Sequence, residues 1–91
     1  MGLVPKKSLK SMLDMTGRQA GDCVHAQSST RLYEIAVHRL VQETIVVLFN
    51  HGAEVAQYST RYGLTFEADD WPYADEFVKA IEERIEDGKP L

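Results

Sequence analysis

The spacing of apolar residues predicts a short helix near the start of the chain. In PKKSLKSMLDM (5–15), Leu9, Met12 and Leu13 recur at helical intervals behind a proline, which suits the first turn of a helix. The next stretch, TGRQAGDCVHAQSS (16–29), contains two glycines and many small polar residues. That composition is typical of a loop.

Polar residues continue at helical spacing from about residue 30 to residue 62. At 3.6 residues per turn they fall in one narrow stripe, with apolar residues opposite. The stripe consists of Arg39, Glu43, Asn50, Glu54, Gln57 and Arg61. This periodicity predicts one helix of about 30 residues. A second interpretation divides the region into strands, because TIVVLF is rich in β-branched residues and FNHGA can form a hairpin turn.

A helix of this length has more apolar surface than a short chain can cover. It would span about 45 Å at 1.5 Å per residue, and a further apolar row lies beside the polar stripe. That row predicts a partner interface formed by Ile35, Val46, Phe49 and Ala53. We therefore expect the chain to pair with a second chain.

The period changes after the predicted long helix. Gly63 would end that helix, and residues 64–66 alternate apolar and polar side chains as a short strand does. Asp69 or Asp70 can cap a final helix, whose first turn tolerates the nearby proline. The pattern predicts an acidic C-terminal helix at about 70–87. Its apolar face would consist of Trp71, Ala74, Phe77, Val78, Ile81 and Ile85.

This order of elements resembles a histone fold, and two segments resemble it in sequence. QSSTRLYEIAVHRLVQETIVVLF is similar to the start and middle of the long central helix of core histones. AEVAQYSTRYGLTFEADDW is similar to the joint between that helix and the last one in histone-fold subunits of transcription complexes. The resemblance implies an all-α histone fold over residues 1–91. It also implies a structural clamp in which Arg61 pairs with Asp70 or Asp69.

The same resemblance implies a function. The chain would be a dimerisation subunit of a chromatin, kinetochore or transcription assembly, paired with itself or with another histone-fold chain. It would make weak, sequence-independent contact with DNA, and it would be nuclear if eukaryotic. The residues that the resemblance assigns to DNA binding are Lys6, Lys7, Lys10, Arg18 and Arg61.

Composition and charge qualify this expectation. The chain has 91 residues, enough for one domain, and 44% of them are apolar. Residues 1–31 have five basic residues against two acidic ones, whereas residues 32–91 have five against twelve. A basic N-terminal segment could contact phosphates, but the acidic remainder would repel a duplex. One cysteine and no apolar run of membrane-spanning length predict an intracellular protein.

Residues that could carry chemistry do not form a recognisable motif. Cys23 and His25 lack the spacing of a zinc finger. On a single helix His38 and His51 would lie roughly 140° apart, and no ordered base for a Cys23 nucleophile can be identified in the predicted loop. No glycine-rich phosphate loop is present. The sequence predicts no enzymatic activity, no metal and no cofactor.

A second functional class fits the acidic charge. The chain could be a small acidic α+β binding protein with four strands and a helix, of the inhibitor or immunity type. Such a protein would block a basic partner. Strand content distinguishes this class from the histone fold.

Overall fold

The computed structural model describes residues 6–19 and 21–91, and the side chains of Lys6 and Lys7 lie outside the description. The elements are α1 (Lys6–Arg18), β1 (Cys23–Gln27), β2 (Tyr33–Arg39), β3 (Thr44–Asn50), β4 (Ala53–Ser59), β5 (Gly63–Glu67) and α2 (Ala74–Glu86). The strands form one antiparallel sheet in the order β1-β2-β3-β4-β5. The fold is α+β, so the all-α histone fold expected from the resemblance is wrong.

The predicted central helix is a series of hairpins. The β-branched residues of β3 favour an extended backbone. His51 and Gly52 both have positive φ, of 54° and 80°, and they join β3 to β4 as a two-residue hairpin loop. Such a loop requires positive φ at both positions, which the short His-Gly step provides. The interpretation of TIVVLF as a strand and FNHGA as a turn is confirmed, although the sheet has five strands and not four.

The polar stripe has a different physical origin from the one predicted. Strands β2 to β5 begin at residues 33, 44, 53 and 63, a repeat of about ten residues. Three turns of an α-helix contain about 10.8 residues. Arg39, Asn50 and Arg61 are each eleven residues apart, and so are Glu43 and Glu54. Residues at matching points of successive hairpins therefore keep an approximate helical phase without forming a helix.

Both helices pack on one face of the sheet. Helix α1 contacts β1, β2 and α2, and α2 contacts β4. The predicted apolar positions of α1 are correct, and Ala74, Phe77 and Ile81 of α2 also lie in the core with alternate residues of the strands. Of the other predicted positions, Trp71 is buried but precedes α2, Val78 is half-buried and Ile85 is 45% exposed. The core includes Leu9, Met12, Leu13, Ile35, Val37, Val46, Leu48, Phe77, Ala80 and Ile81. The protein therefore has two layers, one of helices and one of sheet.

The predicted partner interface is not available on this fold. Ile35 and Val46 are fully buried in the core of the chain itself. Phe49 is half-buried on the opposite face of the sheet, and Ala53 is exposed where β4 begins. The four residues do not form one row, because strand side chains alternate between faces, whereas the helical interpretation placed them on one side of a helix.

Two arginines connect the last residues of the chain to α1. Arg39 donates from Nε to the Leu91 carbonyl at 2.8 Å and from Nη2 to the Thr16 carbonyl at 2.7 Å. Arg84 is buried, donates to the Pro90 carbonyl at 2.6 Å and pairs with Asp14 of α1. These bonds fix the C-terminus against α1 and β2.

Candidate functional site

The face of the sheet opposite the helices is uncovered, and we call it the open face. Cross-strand partners in an antiparallel pair lie on the same face, so the pairing register identifies its members. Those members are Cys23, His25, Gln27, Glu34, Ala36, His38, Ile45, Val47, Phe49, Glu54, Gln57, Ser59 and Phe66. No described helix packs on this face.

The centre of the open face is apolar. Ala36 and Val47 are buried on this face and lie outside the core that the helices cover. Ile45 and Phe49 are half-buried beside them, and Phe66 on β5 is exposed. An apolar centre surrounded by polar residues is typical of a protein-binding surface.

The charge of the open face is negative. Its strand positions include Glu34 and Glu54 but neither lysine nor arginine. The connection from β5 to α2 lies at the same end of the sheet, because the Ala68 N–H donates to the Val55 carbonyl at 2.9 Å. This connection adds two exposed carboxylates. We call Glu34, Glu54, Asp69 and Asp70 the acidic end.

A shallow concavity lies at the acidic end. Glu54 and Asp70 line it together with Asn50, His51 and Trp71. The Asn50 amide donates to the Leu32 carbonyl at 3.3 Å, which fixes one wall. The concavity could accept a lysine or arginine side chain, because its ionised groups are carboxylates.

Trp71 holds the connection that carries Asp69 and Asp70. It is 6% exposed, and its ring packs edge-to-face against Tyr73 and Phe77 at centroid distances of 6.0 and 6.5 Å. Its indole N–H lies near the Tyr33 side chain, but the two do not meet the geometric criteria for a hydrogen bond. Burial raises the pKa of Tyr33, and this contact with Trp71 partly opposes the rise. The aromatic packing therefore positions the acidic end.

A thiol, an imidazole and a carboxylate lie close together on strands β1 and β2 of the open face. The Cys23 Sγ lies 3.6 Å from His25 Nε2, and His25 Nδ1 lies 3.8 Å from a Glu34 carboxylate oxygen. The loop predicted for residues 16–29 did not foresee this contact, because Cys23 and His25 lie on strand β1, where residues i and i+2 share a face. In the part of the chain that the structure describes, no group of three or more His, Cys, Asp or Glu is arranged to hold a metal ion.

The residues that the resemblance assigned to DNA binding do not share one surface. Lys10 lies on α1 and pairs with Glu83 of α2 at 3.0 Å. Arg18 is exposed in the last turn of α1. Arg61 lies in the β4–β5 turn, at the opposite edge of the sheet from the strands that α1 covers. Lys6 and Lys7 have no described side chains. The α+β fold contradicts the histone-fold resemblance, so the function it implied, a dimerisation subunit of a chromatin, kinetochore or transcription assembly with DNA contact, is wrong. The assignment of these five residues to DNA is untested by the fold.

The expected clamp is replaced by other contacts. Arg61 donates from Nη1 to the Gln42 side chain at 3.1 Å, and its guanidinium lies 5.2 Å from the centroid of the Tyr62 ring. Asp70 lines the concavity at the other end of the strands. Arg61 therefore connects two neighbouring turns of the sheet instead of holding the start of the last helix.

The acidic stretch that follows β5 was located correctly by the sequence, but its helix begins later than predicted. Helix α2 begins at Ala74, and Asp69 and Asp70 precede it as part of the connection. Residues 67–87 contain seven exposed acids and one exposed base, Lys79. The negative charge therefore extends from the acidic end along the outer side of α2.

Comparison with known proteins identifies no relative. No protein-family model matches the chain, and neither a curated protein nor a solved structure matches it. Neither described helix is long and apolar enough to cross a membrane.

Proposed function

We propose that this chain is a small acidic binding protein that docks its open face onto a basic protein partner. It acts by covering a basic surface of that partner, as inhibitors and immunity proteins do. The observation that carries the proposal is a complete sheet face with an apolar centre and with no lysine or arginine among its strand positions.

The apolar centre supports a protein partner. Ile45, Val47 and Phe49 follow one another along the outward side of the central strand β3. Residues that bind strongly at interfaces usually cluster at the centre of the contact, where water is excluded. A partner that covers these three side chains removes their remaining apolar surface from water, which favours association.

The acidic end supports a basic partner. Glu54 and Asp70 line one concavity, and Glu54 lies opposite Phe49 on the open face, so a lysine or arginine of a docked partner can reach these carboxylates. The chain also has a net charge of −4. Opposite charges at the rim of an interface accelerate association and reject partners of the same sign.

We further propose that the protein acts by binding and not by catalysis. Cys23 and His25 are both exposed to solvent on an edge strand, whereas catalytic groups are usually placed in clefts that exclude water. Cys23 is a free thiol. A free exposed thiol fits a reducing intracellular compartment.

A selection from a displayed library of random peptides tests this proposal. We expect the full chain to enrich peptides that combine lysine or arginine with apolar residues. Binding of an enriched synthetic peptide is then measured for four chains: the unchanged protein, Val47→Lys, Glu54→Lys and Glu86→Lys. Glu86 is exposed on α2, on the helix side of the molecule, so it provides a control with the same change of charge.

The expected order of affinities is specific. Val47→Lys should weaken binding at least about tenfold, since it places a charge at the centre of the contact. Glu54→Lys should weaken binding less and flatten its salt dependence, because a rim charge acts mainly on the association rate. Glu86→Lys should bind like the unchanged chain. Enrichment of acidic peptides, or a loss with Glu86→Lys that equals the loss with Val47→Lys, would contradict the proposal.

A further inference from the structure

Strand β5 is an edge strand that is exposed on both of its faces. Every residue from Leu64 to Glu67 is exposed, and Gly63 is half-buried. By contrast, the other edge strand, β1, alternates exposed and buried residues because α1 covers one of its faces. The backbone of β5 pairs with β4 on one side only.

The exposed residues of this edge are largely apolar. Tyr62, Leu64 and Phe66 are 66%, 39% and 43% exposed. Proteins usually protect an edge strand with lysine, proline, a bulge or a short length. Strand β5 contains neither lysine nor proline, but it has only five residues, and a bulge leaves Thr65 without a partner on β4. These two features limit any contact to a short one, whereas the free backbone edge and the exposed apolar side chains allow pairing with another short strand.

The charges at the two ends of β5 indicate that a second copy of β5, in antiparallel orientation, is a suitable partner strand. Arg61 precedes β5, whereas Glu67, Asp69 and Asp70 end it or follow it. A parallel pairing of two such strands would place like charges side by side. An antiparallel pairing places the arginine of one copy beside the carboxylates of the other, at both ends of the contact.

We propose that two copies of this chain associate through their β5 strands in an antiparallel, two-fold symmetric pair. In the register with Leu64 on the symmetry axis, Gly63 lies opposite Thr65 of the second copy, and the turn before β5 brings Arg61 and Tyr62 beside Glu67 and Phe66 of that copy. The apolar and charged residues of the edge are thus self-complementary, as a two-fold contact requires.

The pairing has a geometric consequence for the proposed function. Directly opposite residues of an antiparallel pair lie on the same face. The two five-stranded sheets therefore join into one sheet of ten strands, with all helices on one side and both open faces on the other. This self-association does not depend on the proposed docking of a basic partner, and each can fail without the other.

Sedimentation velocity of the full chain tests the association. We expect a monomer–dimer equilibrium in which the dimer is detectable once the protein concentration reaches about 0.3 mM. The association is expected to be this weak because an interface of one strand per copy is small. Leu64→Lys should leave a monomer. Met15→Lys should still dimerise, because Met15 has a similar exposure of 45% but lies on α1, away from β5.

A reciprocal charge exchange tests the orientation. Arg61→Glu alone and Glu67→Arg alone should each be monomeric, because each homodimer would bring like charges together twice. An equimolar mixture of these two variants should form a heterodimer, in which both contacts are again of opposite charge. Circular dichroism of each variant checks that the fold is retained.

Each outcome decides the proposal. A heterodimer in the mixture together with monomeric single variants supports it. An unchanged chain that stays monomeric at about 0.3 mM, or dimers that persist in Leu64→Lys, would overturn it. A mixture that stays monomeric while the unchanged chain dimerises would overturn the antiparallel β5 contact.

Discussion

Two neighbouring valines of β3 should lose very different amounts of stability on the same substitution. Val46 is 0% exposed and lies in the core between the sheet and the helices. Val47 is 7% exposed but faces the uncovered side of the sheet. We expect Val46→Lys to unfold the protein and Val47→Lys to leave it folded. Since both sites are in the same strand, the change in strand propensity is common to both variants.

The expected magnitudes follow from the two environments. A domain of 91 residues is stable by about 5–14 kcal/mol, at about 0.05–0.15 kcal/mol per residue. Val46→Lys removes about 1.5–3 kcal/mol of apolar burial and adds several kcal/mol for an unpaired charge in the core. Its cost is therefore comparable to the whole stability. At Val47 the ammonium group can reach water along its flexible stem, so we expect a loss of about 1 kcal/mol.

Urea unfolding followed by circular dichroism measures the difference. The midpoint for Val47→Lys should fall by less than about 1 M, given slopes of about 1–3 kcal/mol per M for small domains. Val46→Lys should show no cooperative transition. Similar losses at the two sites would refute the two-layer arrangement, because neither face would then be distinguishable as the core.

Three further predictions concern the contacts between the ends of the chain. Gly17→Ala should lower the melting temperature, because the added Cβ would clash with Arg84 Nη2 and lie 2.9 Å from the Pro90 carbonyl. A higher melting temperature, as expected when a glycine in a helix is replaced without a clash, would contradict this prediction. The hydrogen bond from Arg84 lowers the pKa of Asp14 below 3.8. Burial acts in the opposite direction to a smaller extent, and the nearby positive charges lower the pKa further. This contribution to stability is present above pH 3.8 and is lost as the pH falls through the folded pKa. Asp14→Asn should therefore unfold at a lower urea concentration than the unchanged chain at neutral pH, and the two unfolding midpoints should converge in acid. Arg39→Met removes three hydrogen bonds to backbone carbonyls and should cost about 2–4 kcal/mol, with hydrogen exchange accelerated first at the end of α1.

The sequence pattern predicted both terminal helices but not the sheet between them. Leu9, Met12 and Leu13 have only one regular interpretation, and they do form the buried side of α1. The region between residues 30 and 62 has two interpretations, because a meander that repeats every ten residues keeps nearly the phase of a helix. The local evidence for strands, β-branched residues and the His51-Gly52 step, was physically the more specific signal.

The polar stripe shows why periodicity alone was misleading. Arg39 and Asn50 bind backbone carbonyls near the ends of their strands. Glu43 accepts a hydrogen bond from the Ser59 hydroxyl between neighbouring strands. Gln57 is half-buried on the open face. Their common spacing comes from strand and turn lengths, which a helical wheel does not represent.

The candidate site could be predicted only in part. Its negative charge was visible in the sequence, because acids outnumber bases beyond residue 31. The open face was not visible, since Val46 and Val47 are identical side chains and only the packing of the helices decides which one is covered. A sequence read one strand at a time does not contain that information.

Methyl NMR during titration with an enriched basic peptide tests the central claim most directly, namely that the uncovered face of the sheet is the docking surface. We predict that the methyl signals of Ile45 and Val47 shift with the peptide, while those of Val46 and Leu48, on the covered face, stay in place. Shifts confined to Val78 and Ile85 of α2, or no shift at any of these methyl groups, would contradict the account.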